Sequence, residues 1–184
     1  MGMSAQDKMI TVANRLGLTS LKDMQGTTRM VYDSITTAAT QHTFFKGASQ
    51  RAFPLTNVGA NGNQFQVDEA LLVEKIGFFL PFDATGVAYN NLSTLSVKFD
   101  LICGNKTVIK DATVELGGEQ AFYNDGAAAS CVLDLEGVGI LIPPQVEYYV
   151  VAKPFVAATR EASSQRLGCY LFGTGALLNF NTTI

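Results

Sequence analysis

One histidine, His42, and no tryptophan occur in this chain, and only 16% of its 184 residues are charged. A single histidine cannot supply the cluster of imidazoles with a carboxylate that a cupin-type metal site requires. A Ser–His–Asp arrangement is arithmetically open, but no GxSxG or similar nucleophile context occurs. The three cysteines, Cys103, Cys131 and Cys169, form no CxxC and have no short spacing. An odd number in apolar, strand-like surroundings points to small buried hydrophobes rather than a disulfide framework. Glycines 59, 62, 117 and 118 lack the Lys-Ser/Thr and following helix of a phosphate loop. No apolar run approaches the ~20 residues that span a bilayer, and residues 1–15 lack the continuous apolar region of a signal peptide. The expectation is a non-enzymatic protein made in a reducing cytoplasm. It has no transmembrane segment, and no catalytic, cofactor-binding or metal residues are nominated.

The chain does have hydrophobic residues, 47% of the total. That is enough for a sizeable core in one domain. Low charge leaves surface that is cheaply dehydrated, so contact with other copies of the same chain is expected. Residues 1–51 hold six Lys/Arg against three Asp, whereas the remainder is acidic. The basic residues are dispersed, without the clustering that neutralises phosphates. The excess therefore reads as solvated surface ahead of nucleic-acid contact through the N-terminal arm.

The stretch Gln64 to Asp83, QFQVDEALLVEKIGFFLPFD, organises the rest. As a helix it would carry Gly77 and Pro81 at a cost of roughly 1 and 3 kcal/mol. A strand tolerates Gly77 at a bend or bulge and Pro81 at its exit. Apolar residues fall on both alternating faces, which predicts a central strand covered on both sides. Glu74 within it needs a partner, a basic residue of an adjoining strand or subunit; a buried catalytic acid is the alternative. Lys75 is expected to face the other way, and Asp68-Glu69 to mark the polar start of the strand.

Residues 1–26 read as a helical arm. Ser4 caps it, Asp7 favours its first turn, and Met9, Val12, Ala13 and Leu16 share one face before Gly17 stops it. A second short turn is placed around Ser20 to Met24. Residues 27–184 read as strands: Val31 to Thr40, Gln41 to Lys46, Phe53 to Asn57, the central stretch, and Ser93 to Cys103. After a turn at Gly104-Asn105 come Thr107 to Leu116, Ser130 to Glu136, Gln145 to Lys153 closed by Pro154, and Leu167 to Phe180. In Ser93 to Cys103, Leu95, Val97, Phe99 and Leu101 alternate with polar residues, as in a half-buried strand. In Ser130 to Glu136, Cys131, Leu133 and Leu135 are expected inward. Eight to ten strands without βαβ rhythm predict an all-β protein, a jelly-roll β-sandwich with a short helical N-terminal arm. The lack of tryptophan and of a suitable cysteine pair disfavours an immunoglobulin-like sandwich.

Over residues 27–82 the sequence resembles jelly-roll capsid proteins of small tailless or uncultured bacteriophages. Phe44-Phe45, Thr56-Asn57, the polar-to-apolar run Phe65 to Glu69 and the apolar strand Val73 to Phe79 carry the resemblance. It implies a virion structural protein, made in the host cytoplasm, that self-assembles into a shell with copies of itself and other virion proteins. Loops at 84–92, 117–129 and 155–166 would then meet neighbours. The alternative is a carbohydrate-binding or adhesive β-sandwich, such as a spike or fibre domain. There Tyr148, Tyr149, Phe122 and Tyr123 would form a sugar platform, although such aromatics more often serve core and interface.

Overall fold

The structure, a computed structural model, describes residues 3–22, 24–36, 41–48, 51, 53, 55–59, 62–79, 95–115, 121–122, 130–135, 137, 139–156 and 166–178. Among these residues one helix, α1 (Ala5–Leu16), precedes ten strands. These are β1 (Met24–Thr36), β2 (His42–Phe44), β3 (Glu69–Phe79), β4 (Leu95–Cys103), β5 (Lys106–Glu115) and β6 (Ala121–Phe122). β7 (Ser130–Asp134), β8 (Ile140–Ile142), β9 (Tyr148–Val156) and β10 (Arg166–Leu178) complete the set. One sheet runs β1-β10-β3-β7-β6, with β8 also on β3, and the other runs β2-β9-β4-β5. All of the pairings are antiparallel. With β6 and β8 set aside, four strands remain in each sheet and the chain crosses repeatedly between them. That is the jelly-roll arrangement the turn signals predict.

The core lies between the sheets. Leu71, Val73, Ile76 and Phe78 of β3 meet Val97, Phe99 and Leu101 of β4, joined by Val150, Ala152, Cys169 and Leu171. On β4 the alternation is as read: Val97, Phe99 and Leu101 are buried, while Lys98 is exposed and Ser96 and Asp100 are half-buried. Leu133 and Leu135 pack against the same core; the Cys131 side chain lies outside the described residues.

The helix forms where its signals stand. Ser4 and Asp7 make a reciprocal capping box, and Gly17 closes the last turn at φ 71, a left-handed conformation that glycine takes without steric cost.

Several expectations change. β1 starts at Met24, ahead of the expected Val31 and within the segment read as arm, because Met24–Gly26 pair with Leu178–Ala176. Among the described residues the expected strand at Phe53 to Asn57 reduces to a single bridge, Asp33 with Thr56. β8 is an additional short strand. β9 continues through Pro154, which the sequence reading set as its end. β2 pairs with Val150–Ala152, and Pro154 lies opposite Val97 of β4.

Gly77 marks no bulge; it lies under the Tyr170 ring, where a Cβ would come within 2.2 Å of ring carbons. The irregularity falls instead between Phe172 and Gly173 of β10, which pair with Lys75 and Val73 and leave Glu74 without a register partner. A Cβ on Gly173 would sit 1.9 Å from the Leu72 carbonyl oxygen, so this close approach requires glycine. The bulge reverses the alternation of β3. Leu71 and Val73 face the core before it, Ile76 and Phe78 after it. Glu74 and Lys75 therefore both turn outward, which corrects the expectation that they face opposite ways. Pro81 and the loops at 84–92, 117–129 and 155–166 lie outside the described residues, apart from β6 and the adjoining ends of β9 and β10.

Candidate functional site

Among the described residues several places gather polar side chains into defined geometry. The first is the joint between α1 and the outer face of the β1-β10-β3 sheet. Val12 and Ala13 are buried against Ala70, Leu72 and Ala176, with Met9, Leu16, Met24, Leu141 and Leu178 around them. This covering element is what the two-sided apolar pattern of β3 called for. Beside it the Lys8 ammonium donates to Glu74 Oε2 at 2.9 Å, and the Thr174 hydroxyl donates to Glu74 Oε1 at 2.9 Å. Arg15 donates from Nη1 to the Gly139 carbonyl at 2.8 Å. Glu74 thus has its basic partner, and that partner comes from the arm. A carboxylate held by an ammonium and a hydroxyl is a structural anchor. Lys75 pairs with Asp134 at 2.9 Å, half-exposed.

The second place is built on Asp33, a buried carboxylate that the sequence reading did not single out. It accepts from the Phe45 N–H at 2.7 Å and from Arg51 Nε at 2.8 Å, and Arg51 Nη2 closes the fork. Asp33 is fully buried, and its three donors compensate the desolvation of its charge. Phe45 is held at φ 71, a conformation uncommon for a bulky residue. Its ring is buried against Tyr148, with centroids 5.4 Å apart. The cluster ties the connection after β2 to β1. The signal for it in the sequence is slight: one Asp in a strand and one Arg eighteen residues away.

The third is a cleft of about 170 Å³ lined by Arg29, Asn57, Gln64, Phe65, Gln66 and Glu69, among others. Arg29 pairs with Glu69 at 3.1 Å and lies over the Phe65 ring at 4.7 Å. Phe65 stacks in turn on Tyr148 at 5.1 Å. Both charges are satisfied by each other, and the Asn57 amide is bonded to Tyr32 and Met30 of β1.

His42 starts β2 and is buried, with Nε2 lacking a hydrogen-bond partner among the described residues. Burial pulls its pKa below the ordinary 6.5, and among the described residues no nucleophile is within hydrogen-bonding distance of that nitrogen. Tyr148 is buried, its hydroxyl pKa raised by desolvation, so it presents no surface for stacking a sugar. Tyr149 has the Lys46 ammonium 5.5 Å from its ring centroid, and Tyr123 lies outside the described residues. Cys169 is buried and Cys103 half-buried, and burial pushes the Cys103 thiol up to about 11. Among the described residues no group of three or more His, Cys, Asp or Glu is placed to hold a metal ion. No helix there is long and apolar enough to cross a membrane.

No protein-family model matches the sequence, and no curated protein matches it. Among solved structures the fold is similar to that of Cocksfoot mottle virus, at 11% identity and a TM-score of 0.38, covering 88% of this chain and 100% of that one. A likeness at that level carries no weight beside the strand order itself.

Proposed function

We propose that this chain is a structural protein of a virion, a bacteriophage capsid component that self-assembles into a shell and has no catalytic role. The observation that carries the reading is the strand order, β1-β10-β3-β7 facing β2-β9-β4-β5, an architecture used by viral capsid domains as well as by lectins and cupins. Fold alone does not fix function, so the side chains must discriminate. A cupin-type centre is disfavoured by a lone, buried His42. A sugar platform is disfavoured by the burial of Tyr148. Low charge supports extensive contact with like subunits, and Phe53 and Val67, exposed at 80% and 68%, are apolar side chains that neighbours would cover. The resemblance over residues 27–82 supports the phage assignment, the virion as its location and the host cytoplasm as its place of synthesis. Electron microscopy and sedimentation of the purified protein test this. Closed particles or defined oligomers are expected; a monomer at every concentration and salt condition overturns it.

A further inference from the structure

Among the described residues the end strands are β1 and β6 in one sheet, where the three-residue β8 also pairs with β3 alone, and β2 and β5 in the other. An unpaired strand edge is a template for another chain unless it is short, charged, bulged or covered. β6 and β2 have two and three residues. β5 is longer, but it carries Lys106, Lys110 and Asp111, with Asp111 at φ 53 opposite a register shift. β1 is thirteen residues long, and among the described residues only part of its outer edge is covered. Ser34 N–H donates to the Leu55 carbonyl at 2.8 Å and Asn57 N–H to the Tyr32 carbonyl at 3.3 Å. The Asn57 side chain imitates a further strand, accepting from Tyr32 N–H at 2.7 Å and donating to the Met30 carbonyl at 2.8 Å.

Those bonds fix which residues of β1 turn their peptide groups outward: the even-numbered ones. By the same alternation the N–H and C=O of Gly26 and the N–H of Thr28 point to the free edge. Among the described residues nothing hydrogen-bonds them on that side. The Met24 N–H is taken by the Leu21 carbonyl at 3.1 Å, leaving the Met24 carbonyl outward. The segment Met24–Thr28 reads MQGTT, without charge, proline or bulge, and Met30, exposed at 46%, follows it.

We propose that Met24–Thr28 is an interaction edge that pairs antiparallel with the same segment of a second copy, about a two-fold axis at Gly26. The choice of a second copy rests on the shell reading above, and the segment is suited to face itself. Pairing about Gly26 sets Gln25 against Thr27 and Met24 against Thr28, so no like charges meet. The two Gly26 residues exchange both of their hydrogen bonds, and each Thr28 N–H reaches a Met24 carbonyl. The same patch serves both subunits, as a closed isologous contact requires. Met9 of α1 already covers the outer side of Gly26, where a Cβ would come within 2.8 Å of its sulfur, so the arm braces the strand at the axis.

The register gives the test. Gln25 and Thr27 are exposed and would form a non-hydrogen-bonded cross-strand pair, with Cα atoms about 4.5 Å apart, within disulfide range. The variants Gln25→Cys and Thr27→Cys are oxidised separately and as a mixture. The mixture should give covalent dimer in about tenfold excess over either variant alone, above the wild-type background from native thiols. Thr28→Pro, which removes an outward N–H, should weaken the reversible dimer about tenfold in sedimentation and leave thermal unfolding of the chain in place. Equal cross-linking in all three samples, or no dimer in the mixture, overturns the proposal. A register-specific dimer without particles would count against the shell reading alone; particles with this edge unpaired would count against the edge alone.

Discussion

Lys8 of the N-terminal helix and Glu74 of the central strand form an ion pair at 2.8 Å, 66 positions apart in sequence. The pair joins the arm to the strand at the bulge, and the Thr174 hydroxyl completes the shell of the carboxylate.

Lys8→Ala should lower stability by roughly 1 kcal/mol, the upper range for a partly exposed pair. Glu74→Ala should cost more, because the Thr174 hydroxyl also loses its acceptor. Urea midpoints measure both, and proteolysis within residues 5–16 should accelerate in each. Equal midpoints for wild type and both variants would show the joint to be idle.

The arm's apolar side carries more energy than its ion pair. Val12 is fully buried beneath the helix, and Val12→Ala should cost about 2 kcal/mol. The main core contains no residue of α1, so deletion of residues 1–17 should leave a body that unfolds cooperatively, at a lower temperature. A full deletion of residues 1–26 would also remove the first three residues of β1 and is the harsher experiment. Circular dichroism follows the body and sedimentation follows assembly, which is expected to fall. Loss of folded protein on the shorter deletion, or unchanged assembly, would count against an assembly role for the arm.

Removing the buried carboxylate at Asp33 leaves the Phe45 N–H and the Arg51 fork without their acceptor. Asp33→Ala should destabilise by about 3 kcal/mol, the lower range for breaking a buried pair. Arg51→Lys, which keeps the charge and loses the fork, should cost less. Equilibrium denaturation separates the two, and a cost for Asp33→Ala no larger than for Arg51→Lys would refute this role.

The lowered pKa of His42 sets a pH dependence. Its unfolded value is about 6.5 and burial lowers the folded one. The unfolded chain therefore binds the proton first as pH falls. Stability from this residue is complete above pH 6.5 and declines through the interval down to the lowered folded value. Urea midpoints at pH 7.5 and 5.5 should differ in wild type and differ less in His42→Leu. An identical pH difference in the two proteins would remove His42 as its source.

Much of this molecule is local. Ser4, Asp7 and Gly17 determine where α1 starts and stops, because capping satisfies backbone groups within one turn. The alternation of Val97, Phe99 and Leu101 determines a half-buried strand, because each side of a pleated backbone meets one environment. The apolar residues on both faces of β3 announced a second covering layer before α1 was seen to supply it. Tertiary structure decided the rest, since register between distant strands has no local signature. The close approach of Gly173 to Leu72 creates the bulge that turns Glu74 and Lys75 to one face, and the return of α1 across the sheet selects Lys8 as the partner of Glu74. The crossing of β1 past the connection after β2 buries Asp33 among its donors. β1 begins at Met24 because Leu178 lies opposite, a pairing fixed by the far end of the chain.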